Sequence, residues 1–182
     1  MPIIQSMNIT LSTPITINTN RLLGGKKTSK ISEEKMNLLL ELGYSKKAIA
    51  LYANNVNLGT LEKPSLITTF LGPCGDLIKL YLRIDENGVI EKARFNYLGC
   101  IGSAASASAM TMLLKGITID QAKAITEDDI LKELDGLPES KLDCVKLSIR
   151  TLQKAIDEYE KLTSRTGQVP DFFKKRNEGR SA

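Results

Sequence analysis

The chain has 182 residues, 42% apolar and 25% charged, which suits one soluble domain with a sizeable core and leaves little room for two. No apolar run reaches the roughly 18 residues of a membrane-crossing helix, and no signal-type apolar stretch opens the chain, so neither a membrane nor an export role is expected. The net charge of +4 is uneven: residues 1–32 carry Arg21, Lys26, Lys27 and Lys30 and no acid, residues 161–182 carry six basic and two acidic side chains, and the middle is net negative, a pattern that argues against a nucleic-acid groove.

Residues 1–32 are rich in Ser, Thr and Asn and show no helical period, so they read as a basic N-terminal arm. A hydroxyl-rich, acid-free segment also fits an organellar transit peptide, and Met36 offers an internal start. Ser32 is a good N-cap for a helix to Leu42, with Glu33 and Glu34 at its positive end. Gly43 stops it, and Ser45 opens a second helix over Lys46 to Ala53. Three strands are predicted next. Leu66 to Phe70 is the first. Leu77 to Ile84 alternates, with Ile78, Leu80, Leu82 and Ile84 on one face and Lys79, Tyr81 and Arg83 on the other. After the turn Asp85-Glu86-Asn87-Gly88, a hairpin signal, the third strand runs from Val89 to Tyr97, with Val89, Ala93, Phe95 and Tyr97 inward. The sheet is expected to be antiparallel with one wet face.

Beyond Cys100, residues 102–115 are dense in Ala, Ser and Met and predict a helix that packs close to its neighbours. Thr118 begins a short helix, and Thr126 caps another through Leu134. Asp135-Gly136-Leu137-Pro138 is a turn. The last long helix carries Val145, Ile149, Leu152, Ile156 and Tyr159 as one apolar stripe, and Gly167 and Pro170 end the ordered chain. Helices, then sheet, then helices make the fold class α+β, a three-stranded antiparallel sheet packed against several helices. The domain is expected over 33–162, with a basic tail over 163–182.

The chemistry gathers at cysteines. There is no histidine in the chain, so a metal would be held by thiolates, carboxylates, backbone or water, and thiolates select zinc or iron–sulfur. The three cysteines, an odd number, fit a reducing compartment better than a disulfide framework. Cys74 and Asp76 share the turn Gly72-Pro73-Cys74-Gly75-Asp76, in which Gly75 supplies a backbone conformation closed to other residues. Cys100 precedes a helix and Cys144 begins one, where the positive helix end favours thiolate at both. A buried apolar role suits any one of these cysteines taken alone; three at element ends point to a metal site. Asp143 fits a helix N-cap and Asp76 a turn stabiliser as well as a ligand.

From Tyr44 to Tyr159 the chain resembles the IscU family, equivalent to the NifU N-terminal domain, scaffolds on which iron–sulfur clusters are built. The resemblance rests on Ser45-Lys46-Lys47, Asn57-Leu58-Gly59, Gly72-Pro73-Cys74-Gly75-Asp76 and Asp85-Glu86-Asn87-Gly88-Val89-Ile90. It continues through Gly99-Cys100-Ile101-Gly102-Ser103-Ala104-Ala105-Ser106-Ala107-Ser108 and Lys141-Leu142-Asp143-Cys144. It implies that Cys74, Asp76, Cys100 and Cys144 converge on a transient [2Fe–2S] cluster, or on iron or zinc while waiting. It implies that Cys144 accepts persulfide sulfur, that Asp76 keeps the cluster labile and that Lys141 supports the site. Partners so implied are a cysteine desulfurase, a frataxin-like iron donor, a ferredoxin and apo iron–sulfur proteins. The role is that of a scaffold rather than an enzyme, in the cytoplasm or, with a transit peptide, in a mitochondrion-related organelle, as a monomer or weak dimer.

Three departures stand out. Asp143 occupies the place where many family members carry histidine, and is a further candidate ligand. Leu137-Pro138-Glu139-Ser140-Lys141 departs from the family's L-P-P-V-K, which weakens the case for an Hsp70-type chaperone. The 43 residues between Cys100 and Cys144 lack room for the insertion of the SufU branch, a zinc-dependent sulfur acceptor that is the alternative reading.

Overall fold

The computed structural model describes residues 31–167; the N-terminal arm up to residue 30 and the tail from residue 168, with Pro170, lie outside the described residues. Two short helices lead, α1 (Glu33–Glu41) and α2 (Lys46–Ala53), followed by β1 (Leu66–Leu71), β2 (Leu77–Ile84) and β3 (Ile90–Leu98). Then come α3 (Ile101–Leu113), α4 (Ile119–Ala122), α5 (Glu127–Glu133), a 3-10 turn (Glu139–Lys141) and the long α6 (Leu142–Thr166). Strand order is β1-β2-β3, all antiparallel. The expected class and element order stand, and α6 runs past position 162 to Thr166, where Gly167 at φ 65° ends it.

Caps explain the helix starts. Ser32 and Ser45 each accept a backbone N–H three residues on, from Lys35 and Ala48. Thr118 and Thr126 form reciprocal capping boxes with Gln121 and Asp129. The Ser45 hydroxyl also donates to the Leu134 carbonyl, which ties α2 to the end of α5.

Both hairpins close in the same way. Gly72 N–H donates to the Asp76 carbonyl and Gly75 N–H to the Gly72 carbonyl. Asp85 N–H donates to Val89, and Gly88 N–H to Asp85. Gly75 and Gly88 carry φ of 85° and 77°, so each turn needs its glycine at the same place. The Asp85 carboxylate reinforces the second turn by accepting from Asn87 and Val89 N–H.

The third strand corrects one expectation. Ile84 pairs with Ile90 but Arg83 pairs with Lys92, so Glu91 is an extra residue in β3. This bulge turns Ile90 into the core at 0% exposure and leaves Val89, expected inward, half-buried in a bridge to Thr118. Ala93 and Phe95 do face the core. The opposite face is drier at its centre than expected: Tyr81 is buried, with Lys79 over its ring and its hydroxyl accepting from Asn96.

Helix α3 is the centre of the molecule. Every residue from Gly102 to Thr111 is buried, and the helix packs against α2, α6 and β3 together. Only small side chains allow such close approach on several sides at once. The α6 stripe is buried from Val145 to Ile156, widened by Leu147 and Ala155, with Tyr159 half-buried. Lys154 on α6 donates to the Thr69 carbonyl, which fixes α6 across β1. The start of α3, the start of α6 and the β1–β2 turn thereby meet at one end.

Candidate metal centre

Three side chains of metal-ligating type converge at that end. Ligand atoms of Asp76, Cys100 and Cys144 all lie within 4.8 Å of one another. Asp76 is the residue after the glycine of the β1–β2 turn, Cys100 is the N-cap of α3, and Cys144 is in the first turn of α6. The chain must bring together positions up to 68 residues apart, and the burial of α3 against α6 does this.

The two sulfurs are 3.4 Å apart. Two thiolates bound to one tetrahedral ion at about 2.3 Å would sit about 3.8 Å apart. The pair therefore needs only a small opening to take a metal. A hard oxygen among soft sulfurs suits zinc or iron and makes a faster-exchanging set than thiolate alone.

Asp76 is held from several sides. Its Oδ2 accepts from the Ser103 hydroxyl and from the Cys100 backbone N–H at 3.3 Å. A Cβ at Gly99 would lie 2.6 Å from both the Cγ and Oδ2 of Asp76, so only glycine fits beside the carboxylate. Gly102 does the same for the thiols: a Cβ there would be 3.0 Å from the Cys144 sulfur and 3.5 Å from that of Cys100. Neither glycine, nor Ser103, is distinguishable by composition or spacing from the other small residues around α3.

Without a metal the two cysteines are not equivalent. The Cys100 thiol is pulled down to about 5, first by its hydrogen bond with Cys144 and then by the backbone N–H groups of Ser103 and Gly102, against an opposing effect of burial. Cys144 is pushed up, first by its hydrogen bond with Cys100 and then by burial; the negative charges at Cys100 and Asp76 act the same way. Sulfurs this close, away from water, share one proton. Cys100 is half-buried and Cys144 is 7% exposed.

Cys74 is outside this tight group. It is exposed at the tip of the turn and lines a separate cleft of about 200 Å³ with Asp143, Lys146, Leu147 and Arg150. Asp143 is no N-cap: Lys141 takes that position, and Asp143 is exposed inside the first turn, paired with Lys146 at 2.9 Å. Lys141 lines a larger groove of about 490 Å³ with Cys100, Tyr44, Tyr52, Tyr97 and Pro138. Burial and then the charges of Cys100 and Cys144 raise the Tyr44 hydroxyl, against the lowering effect of the Gly102 N–H, which places Tyr44 beside the thiols. Tyr44 is a neighbour of the site that the cysteine spacing does not reveal.

An α+β domain that gathers two thiols and a carboxylate at one end has a donor set of the kind that can hold a soft or borderline metal. The NifU-like N terminal domain family matches residues 43–166, and the chain belongs to that family. It is 37% identical over 123 residues to an iron–sulfur cluster assembly scaffold protein IscU of Haemophilus influenzae, covering 65% of this chain and 97% of that protein. A mitochondrial iron sulfur cluster assembly protein 1 of Kluyveromyces lactis is 39% identical over 122 residues, covering 64% of this chain and 67% of its own length. Among solved structures, a NifU-like N-terminal protein of Brucella abortus shares the fold at a TM-score of 0.55 and 19% identity, over 68% of this chain and 98% of that one. A SufU scaffold from Fervidobacterium islandicum does so at 0.53 and 21%, over 62% and 96%. No helix among the described residues is long and apolar enough to cross a membrane.

Proposed function

We propose that the protein is a scaffold for iron–sulfur cluster assembly, on which a [2Fe–2S] cluster is built and from which it is passed to apo-proteins. The observation that carries this reading is the convergence of Asp76, Cys100 and Cys144 within 4.8 Å. Cluster and iron are cargo here, so the chain acts as carrier and sulfur acceptor rather than as a turnover enzyme. Cys74, exposed on the turn that also carries Asp76, is the fourth ligand.

Sulfur arrives as the persulfide of a cysteine desulfurase and is taken by Cys144. The Cys144 sulfur bonds to the terminal sulfur, the donor's sulfur–sulfur bond breaks, and the Cys144 proton ends on the departing donor thiolate. At rest that proton is shared with Cys100, 3.4 Å away, so Cys100 serves as its local acceptor while Cys144 becomes nucleophilic. Reduction of the persulfide to sulfide takes two electrons from an electron donor of ferredoxin class. Lys141, at the head of α6, offers a positive charge beside the growing anionic assembly. Docking of desulfurase, a frataxin-like iron donor and recipient proteins belongs to the same reading. The altered Leu137–Lys141 segment speaks against an Hsp70-type partner.

A second reading has one observation in its favour: with Cys74 apart, the tight group is a three-ligand cage suited to a single zinc ion, as in a sulfur acceptor. Anaerobic incubation with iron, cysteine and a desulfurase separates the two. The scaffold reading expects a cluster absorption spectrum that is lost in Cys100→Ala. Retained zinc, sulfur uptake and no cluster would replace it with the second.

A further inference from the structure

Both hydrogen bonds to the Asp76 carboxylate fall on one oxygen. Oδ2 accepts from the Ser103 hydroxyl and from Cys100 N–H, whereas Oδ1 has no hydrogen-bond partner among the described residues. Ser103 is fully buried in the first turn of α3. Its oxygen is 3.6 Å from the Cys100 sulfur but far closer to Asp76. A hydroxyl has one proton, and the shorter contact puts it on the carboxylate.

We propose that Ser103 is the positioning residue of the site: it clamps Asp76 by Oδ2 so that Oδ1 is left to face the metal. The inference rests on the reading of Asp76 as a ligand and adds the residue that makes it one. Gly99 provides the space, since any side chain there would occupy the place of the clamped oxygen. Cys100 N–H supplies the second donor from the residue that is itself a ligand. One metal-binding sulfur and one metal-binding oxygen are thus set relative to each other by the same turn of α3. A carboxylate without those bonds would rotate freely about its last bond, and metal binding would have to oppose that freedom.

The test is a cobalt(II) titration of metal-free protein, followed by the thiolate-to-cobalt absorption band, in wild type, Ser103→Ala, Asp76→Ala and the double variant. Loss of the clamp should weaken cobalt binding about 10- to 100-fold in Ser103→Ala, the range for partners that orient a metal ligand. In the Asp76→Ala background the same substitution should change nothing, because there is no carboxylate left to orient. An unaltered Ser103→Ala titration, or an equal loss in both backgrounds, would overturn the inference while leaving the metal site intact. No cobalt–thiolate band in the wild type would instead refute the metal-site reading, and this inference with it.

Discussion

Gly99→Ala isolates the role of Asp76 with a single methyl group. The new Cβ would sit 2.6 Å from the Asp76 Cγ and Oδ2, against 3.4 Å for an ordinary contact, so the carboxylate must retreat by about 0.8 Å. That retreat takes Oδ2 out of reach of Cys100 N–H, already 3.3 Å away, and strains the bond from Ser103. A hydrogen bond to a charged group is worth roughly 1.5–3 kcal/mol. A loss of about 2 kcal/mol corresponds to a fall in Tm of about 4–8 °C for a domain of this size. Thermal unfolding of metal-free protein measures it, and the cobalt titration should weaken in parallel. In Asp76→Ala, where only the Cβ at 3.0 Å remains close, Gly99→Ala should cost less than in the wild type. A Gly99→Ala protein with wild-type Tm and cobalt affinity would refute the cradle, as would an equal loss with and without Asp76.

Two further outcomes follow from the shared proton. Alkylation of metal-free protein at pH 6–7 should modify Cys100 faster than an ordinary thiol, with a rate that falls only as pH drops toward about 5; a midpoint near 9 would contradict the thiolate assignment. Stability should also depend on pH with a definite sign. Between about 5 and 9 the unfolded chain holds a proton that folded Cys100 has shed, so stability rises with pH; above 9 folded Cys144 keeps a proton that the unfolded chain loses, so stability falls again. Chemical denaturation across that range should show the rise in wild type and not in Cys100→Ala.

The parts of the fold legible in the sequence are those written locally. The alternation of Ile78, Leu80, Leu82 and Ile84, the caps at Ser32, Ser45, Thr118 and Thr126, and the glycine of the Gly72–Asp76 turn each act within a few residues. The β3 register is not local. The turn at Gly88 and the pairing with β2 together decide that Glu91 bulges and that Ile90, not Val89, enters the core. The same holds at the site. Cysteine positions at element ends pointed to a common site, but the sharing of a proton between Cys100 and Cys144 depends on two residues 44 apart in sequence meeting at 3.4 Å. The roles of Gly99, Gly102 and Ser103 depend on what packs against them. Small residues carry little pattern, and here they do the positioning.

Transfer tests the central claim most directly. Protein carrying a reconstituted cluster is mixed with an apo-ferredoxin, and the arrival of the cluster is followed for wild type and Asp76→Ala. With the carboxylate as the weakly held, fast-exchanging ligand, the wild type hands over its cluster and Asp76→Ala retains it. Equal transfer rates from the two proteins would contradict the account.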